Sequence, residues 1–112
     1  MTIPAWLKEF PGAFTVCDRD GIILYMNAQA LQVFAEDGGA ELLGKSVFDC
    51  HPEPARSKLK AMMEKQQQNT YTIEKKGKKK LIYQTPWYQD GEYAGFVELS
   101  LIIPFEIPHF IR

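Results

Sequence analysis

The sequence predicts an α+β domain in which five antiparallel strands pack one face of their sheet against short helices. Tight-turn residues at 18–21, around Gly77 and at 90–91 separate runs of strand-forming residues, and strands joined by tight turns must be antiparallel. The main helical patterns fall between the second and third strands, so the helices can cover only one face of the sheet. A chain of 112 residues has the size of a single hydrophobic core.

The N-terminal segment, residues 1–12, is predicted to form a short helical cap. Ile3, Trp6, Leu7 and Phe10 recur at the i, i+3, i+4, i+7 spacing of one helix face. The proline–glycine pair that follows ends the helical pattern.

The first two strands are predicted at residues 13–17 and 22–26, where β-prone runs flank an Asp-Gly turn and therefore form a hairpin. Asn27 follows directly, and its short amide side chain is suited to accept the free backbone amides of a first helical turn. We therefore expect Asn27 to cap a helix, which the glycines at 38–39 end.

The longest helix is predicted to begin after residues 51–54. Leu59, Met62 and Met63 belong to an apolar stripe at helical spacing, and charged residues cover the opposite face. Alternating apolar residues then predict three more strands, and Pro86 in the second of them indicates a solvent-facing amide or a bulge. These strands are expected at residues 70–75, 81–88 and 93–103.

Overall charge and hydropathy exclude several classes of protein. The chain carries 13 basic and 14 acidic residues for a formal net charge of −1, which provides no field to hold a nucleic acid. No apolar run approaches the roughly 18–20 residues of a membrane span, and the N-terminus lacks the pattern of a secretion signal. The sequence therefore predicts a cytoplasmic protein with no nucleic-acid or membrane partner.

Three segments taken in order resemble a PAS (Per–Arnt–Sim) domain. Residues 16–27 are similar to the family's opening hairpin, in which a D-x-x-G turn leads to a strand that ends in a capping Asn. Residues 41–49 are similar to its E-L-x-G-[KR] segment, and residues 90–96 resemble its last hairpin. The likeness runs from about residue 6 to residue 103, and it implies the strand order 2-1-5-4-3 and a role in sensing or in docking to partners.

This organisation predicts one domain with three parts: the cap at 1–12, a PAS core at 13–103 and a C-terminal tail at 104–112. Two prolines should hold the tail extended rather than helical. A sheet covered by helices on one face leaves a concave apolar chamber, where small ligands commonly bind.

The predicted ligand-binding residues lie on the inward phase of the strands, on a helix stripe or at the Cys-His pair. The placement of two of them depends on strand parity, because a shift of one residue turns a side chain to the other face. The set comprises Tyr25, Phe34, Phe48, Cys50, His51, Met62, Tyr83 and Val97.

Cys50 and His51 are the most chemically suggestive pair, although neither matches a specific cofactor motif. Haem-binding relatives use a helix histidine that faces the chamber, whereas His51 precedes Pro52 and so should lie outside the helix. The flavin-binding motif of photoreceptor relatives would place its reactive cysteine at Val47. The cofactor is therefore left unknown, with haem or flavin as the candidates.

Enzyme motifs and metal-ligand spacings are absent from the sequence, so a non-catalytic protein is predicted. The preferred interpretation is a sensory module that binds a small molecule or a protein partner, such as a separate output protein. The alternatives are a haem-based sensor that uses His51 and a structural dimerisation protein whose core is filled by its own side chains.

A homodimer is predicted from apolar residues that lie outside the core. Ile3, Trp6, Leu7 and Phe10, together with the apolar residues of the tail at 104–112, would face water in a monomer. Burying one such large side chain is worth roughly 1.5–3 kcal/mol. PAS relatives often dimerise through a helix that precedes the first strand, and this stripe occupies that place in the chain.

Overall fold

The computed structural model describes residues 2–112 and contains a single antiparallel sheet. Its strands follow the predicted order along the chain, and in space they are arranged β2-β1-β5-β4-β3, which confirms the predicted fold class and topology. The strands are β1 (Ala13–Asp18), β2 (Ile23–Met26), β3 (Asn69–Lys75), β4 (Lys78–Gln89) and β5 (Glu92–Ile103).

The helices are short, and most of them lie between β2 and β3. None of the helices in residues 2–112 is long and apolar enough to cross a membrane. The elements are α1 (Ala5–Lys8), α2 (Ala28–Val33), two 3-10 turns (Ala35–Asp37 and Gly39–Leu42) and α3 (Ala55–Lys65). The N-terminal helix is limited to one turn, since Pro4 holds an extended conformation before it and provides no side-chain cap.

Asn27 connects three parts of the fold through its buried side chain. Its Oδ1 accepts hydrogen bonds from the amides of Ala30 at 3.1 Å and Phe14 at 3.0 Å. Its Nδ2 donates to the carbonyls of Gly12 at 2.8 Å and Leu7 at 3.1 Å. The predicted helix cap is confirmed, and the same side chain also fastens the segment after α1 to β1.

The sheet register decides which side chains face the helices. Cys17 lies opposite both Ile23 and Phe96, and these three side chains are buried. Helix α3 contributes Leu59 and Met63 to the same core. The residues of this core are Ala13, Cys17, Ile23, Met26, Ala30, Leu42, Val47, Leu59, Met63 and Phe96.

The other face of the sheet carries a second set of half-buried apolar side chains. Tyr25 lies opposite Val16, and Tyr83 lies opposite Leu99. The predicted inward placement of Tyr25 and Tyr83 is therefore wrong. In β2 a bulge leaves Leu24 without a partner, so the residues after it face the side of the sheet opposite to the one that strict alternation predicts. In β4 the positions that face the helices include polar residues, so apolar alternation does not show which side chains point inward.

Pro86 lies in the part of β4 that extends beyond β3. The pairing of these two strands ends at Gln84 opposite Asn69, so no β3 amide or carbonyl lies beside Pro86. The missing amide hydrogen of proline therefore breaks no ladder bond on that side. Pro86 itself is buried, so the predicted solvent-facing position is not observed, whereas the predicted bulge lies close by, between Trp87 and Tyr88.

The C-terminal residues 104–112 form no helix or strand, and their side chains are exposed. The Lys79 ammonium donates a hydrogen bond to the Phe105 carbonyl at 3.2 Å. This bond holds the first part of the tail beside the β3–β4 hairpin.

Candidate functional site

A cavity of about 740 Å³ lies between the sheet and the helices, within the size range of small-molecule sites. Residues from the sheet and from the helical segments form its apolar walls, among them Met26, Phe34, Leu42, Val47, Leu59 and Phe96. Tyr71 and Ile73 of β3 also line the cavity, and both are exposed to solvent. The cavity therefore opens to solvent along β3.

Three polar side chains form a row on neighbouring strands, and two of them, Gln84 and Glu98, line the floor of the cavity. Asn69 Nδ2 of β3 donates to Gln84 Oε1 of β4 at 3.1 Å. Gln84 Nε2 in turn donates to Glu98 Oε2 of β5 at 2.8 Å. Gln84 is only 8% exposed, so this row forms a polar strip on the face of the sheet that the helices cover.

The direction of the hydrogen bonds in this row is fixed by Glu98. A carboxylate only accepts hydrogen bonds, so Gln84 must turn its amide nitrogen toward Glu98 and its oxygen toward Asn69. The row therefore ends in a carboxylate whose other oxygen, Oε1, has no hydrogen-bond donor among residues 2–112.

His51 lies at the cavity wall between the last 3-10 turn and α3. Its Nδ1 is 2.6 Å from the Val47 carbonyl oxygen, and because a carbonyl can only accept, Nδ1 carries the proton. Nε2 is then the unprotonated nitrogen of the neutral ring. Pro52 keeps His51 out of α3, as predicted, and Arg56 Nε donates to the His51 carbonyl at 3.2 Å.

The two cysteines have different environments. Cys17 is buried, and the loss of hydration raises the pKa of its thiol to about 11 in spite of a hydrogen bond with the Phe96 backbone. This thiol is therefore neutral near pH 7 and a poor nucleophile. Cys50 is exposed, and its Sγ lies 3.7 Å from the Ser46 carbonyl.

Charged side chains of both signs also line the cavity. They are Asp37, Asp49 and Glu98, and Lys45, Lys75 and Lys80. Within the described part of the chain, no group of three or more His, Cys, Asp and Glu residues is arranged to hold a metal ion.

The structure brings half of the predicted ligand-binding residues to this cavity. Phe34, Cys50, His51 and Val97 are in its lining, although the register of β5 directs the Val97 side chain to the other face of the sheet. Phe48 and Met62 pack against the core without lining the cavity. For all of these residues, contact with a ligand stays a prediction.

Sequence reasoning missed the polar floor of the cavity. Gln84, Glu98 and Tyr71 were not among the predicted site residues, yet all three line it. The signal in the sequence is a polar residue on the cavity-facing phase of each of two largely apolar strands, Gln84 in β4 and Glu98 in β5. Two such residues placed opposite each other in a sheet indicate a polar contact on one face.

The predicted dimer residues are placed on the face of the sheet away from the cavity. The rings of Phe10 and Phe14 are in edge contact at 5.4 Å between centroids, and Phe14 shares the outer face of β1 with Val16. Ile3 and Leu7 are half-buried. Trp6 is 66% exposed and forms an edge contact with Phe10 at 6.2 Å.

Comparisons with known proteins agree on the architecture. A family model described as PAS fold matches residues 7–101. A C-terminal domain from Streptococcus mutans superposes with a TM-score of 0.71 at 21% identity, covering 86% of this chain and 78% of that one. Comparison with curated proteins gives no match.

Two further solved structures are similar. For the Aer2 receptor of Vibrio cholerae, described as a dual PAS-haem oxygen sensor, the TM-score is 0.65 at 20% identity, over 83% of this chain and 95% of that one. For the PAS domain of Bordetella pertussis BvgS it is 0.63 at 18% identity, over 88% and 81%. At these identities the likeness is one of fold.

Proposed function

Because the chain belongs to the PAS family, as its three sequence segments predicted, we propose that it is a sensory module whose cavity binds a small organic ligand. The observation that carries this proposal is the chamber itself, with apolar walls, an opening along β3 and a polar row on its floor. Such a combination can bury the body of a ligand while a few polar groups fix its orientation.

The proposal is also supported by what similar structures are described as doing. The Aer2 receptor is described as an oxygen sensor, and another similar structure belongs to a sensor histidine kinase from Vibrio cholerae. The proposed module is non-catalytic, since ligand binding alone requires no reactive group.

The output of the module would lie on the face of the sheet opposite the cavity. There we propose a homodimer that buries Trp6 and the residues of the same stripe, Ile3, Leu7 and Phe10, against a second copy of the chain. The outer face of the sheet supports this idea, because Phe14, Val16 and Leu99 present half-buried apolar side chains there and Phe10 contacts Phe14. A separate output protein docking on the same face is the other outcome.

Native mass spectrometry of the protein from its own host tests ligand binding. We expect a bound mass that is absent from the variant Ser100→Phe, because Ser100 lines the cavity and a phenyl ring would fill it. Thr72→Phe on an exposed position of β3 is the matched control and should retain the bound mass. A bare polypeptide mass, together with no stabilisation by any compound in a screen of small molecules, would contradict the proposal.

A haem-based sensor is the second candidate, and one observation favours it. Histidines that ligate metals usually donate their other ring N–H to a carbonyl or carboxylate, and His51 donates Nδ1–H to the Val47 carbonyl. This leaves Nε2 as the donor atom that would hold the iron, and a bound haem would supply gas binding. Lys45, Lys75 and Lys80 would face its propionates.

An absorption spectrum after addition of haem tests this candidate. We expect a Soret band that is lost in His51→Ala and kept in His109→Ala, since His109 lies in the exposed tail. A spectrum identical in the two variants would exclude His51 as the ligand.

A further inference from the structure

We infer that the cavity selects a small organic cation, a protonated amine carried on a compact apolar body, and that the ammonium group binds Glu98. This inference rests on the proposed function, because it names the class of ligand for the same cavity. Three observations support it: the Glu98 carboxylate forms no ion pair within residues 2–112, the hydrogen bonds of the polar row point toward Glu98, and aromatic side chains line the same cavity.

The first support is that the Glu98 carboxylate has hydrogen-bond acceptor positions that residues 2–112 leave free. A carboxylate offers about four acceptor positions, whereas the hydrogen bond that Glu98 accepts in the described part of the chain comes from Gln84. Among residues 2–112 no lysine, arginine or histidine forms an ion pair with Glu98. Glu98 is half-buried and lines the cavity, so a cationic ligand can form an ion pair there that a neutral ligand cannot.

The second support is the direction of the polar row. Asn69 and Gln84 both point their donor groups toward Glu98, and the chain of hydrogen bonds polarises in the same sense. Glu98, on β5, is therefore the last acceptor of the row and has no donor group of its own to offer a ligand. A ligand must bring donors to this point, and an ammonium group carries three.

The third support is the aromatic wall. Tyr71 lines the same cavity, and the pKa of its hydroxyl is raised, first by partial burial and second by the negative charge of Glu98. Tyr71 on β3 and Glu98 on β5 thus line the same cavity from the two sides of β4. A cation between a carboxylate and an aromatic face gains both an ion pair and a cation–π contact, while Phe34 and Phe96 contact its apolar body.

The lysines that line the cavity do not form an ion pair with Glu98. Lys80 lies four residues before Gln84 on β4, which corresponds to about 13 Å of strand, and Lys45 comes from the segment that covers the cavity. These lysines would attract an anion to other parts of the lining. An anionic probe is therefore the decisive competitor in the experiment.

The experiment compares three probes of matched shape: 2-phenylethylamine, 3-phenylpropionate and 2-phenylethanol. Each is titrated into ¹⁵N-labelled protein at neutral pH, and dissociation constants are taken from amide shifts of cavity-lining residues. We expect the amine to bind about tenfold or more tightly than the alcohol, since a hydrogen bond between charged groups is stronger than one to a neutral hydroxyl. The propionate should bind more weakly than the alcohol.

The variant Glu98→Gln should abolish this preference, so that the amine and the alcohol bind alike. Glu74→Gln is the matched control, because Glu74 is exposed on β3 and lies two residues along from Thr72, on the phase that faces away from the cavity. It removes the same charge and should preserve the preference. If Glu98→Gln does not fold, the order of the three probes on the wild-type protein decides alone.

An alcohol or propionate that binds as tightly as the amine would overturn the inference, and so would a preference that persists in Glu98→Gln. In both cases the cavity still binds ligands, so the proposed function would stand. The absence of any shift in cavity amides with all three probes would also overturn the inference. If the protein from its host then carries no bound mass, the proposed function fails as well.

Discussion

Cys17 and Cys50 are chemically identical side chains, but the fold buries Cys17 and leaves Cys50 exposed to solvent. Burial at the contact of β1, β2 and β5 raises the pKa of Cys17 to about 11, whereas Cys50 is exposed. A group whose pKa is raised by folding stabilises the native state below its unfolded pKa. That contribution is lost as pH rises from about 9 toward about 11.

Alkylation with iodoacetamide at pH 8 should therefore modify Cys50 and spare Cys17 in the native protein. Thiolate is the reacting form, and Cys17 is both inaccessible and protonated. Intact mass spectrometry should detect one adduct on the wild type and none on Cys50→Ser until denaturant is added. Two adducts formed at equal rates on the native wild type would show that β1 is not packed as described.

Asn27 stabilises the fold through the hydrogen bonds of one buried side chain. Replacing it with alanine leaves the amide of Phe14 and the carbonyl of Gly12 without partners and removes the cap of α2. The expected loss is about 2–4 kcal/mol of unfolding free energy, measured by urea denaturation. Asn69→Ala, which removes an amide from the more open end of β3, is the control and should cost less; equal losses would contradict this assignment.

At the scale of elements, the strands were predictable, but their mutual register was not. The Asp-Gly turns and the alternation of apolar residues located all five strands. The hairpin of β4 and β5 contains a bulge between Trp87 and Tyr88, however, and only with this extra residue does Gln84 lie opposite Glu98. Simple pairing outward from the turn would set Gln84 opposite Val97, so the sequence shows the two polar residues but not that they lie opposite each other.

Gly95 lies opposite Trp87, directly beside this bulge, and has a positive φ of 156°. A Cβ at this position would collide with the Cys17 carbonyl oxygen and lie 2.7 Å from Trp87 Nε1. These are the two atoms of the hydrogen bond that joins Trp87 to Cys17 at 2.9 Å. Close approach of β1 to β5 therefore requires a residue without a side chain.

Gly95→Ala should consequently lower the melting temperature far more than Gly91→Ala. Gly91 also has a positive φ, 83°, but a Cβ there meets nothing within 4 Å, so its cost is limited to the backbone strain of roughly 1–2 kcal/mol. Differential scanning calorimetry of the two variants gives the comparison. Equal melting temperatures would mean that β1 can move aside without loss of the sheet.

At the scale of the whole molecule, the apolar residues outside the core predict self-association. Trp6 is the most exposed residue of the α1 stripe, at 66%, so Trp6→Glu should weaken the proposed dimer at least about tenfold. Sedimentation of the wild type should give twice the mass of the chain. Tyr88→Glu, at an exposed position of β4, is the control and should leave the dimer intact; a wild-type protein with the mass of one chain at every concentration would refute the dimer.

Successive side chains of β5 alternate between the two faces of the sheet, so Glu98 faces the cavity while Val97 and Leu99 face the proposed dimer surface. The two binding events are thus separated by the thickness of one strand. By thermodynamic linkage, a ligand that tightens association by some factor must itself bind the dimer more tightly than the monomer by that same factor. The apparent affinity for ligand should then rise with protein concentration in the wild type and become independent of it in Trp6→Glu.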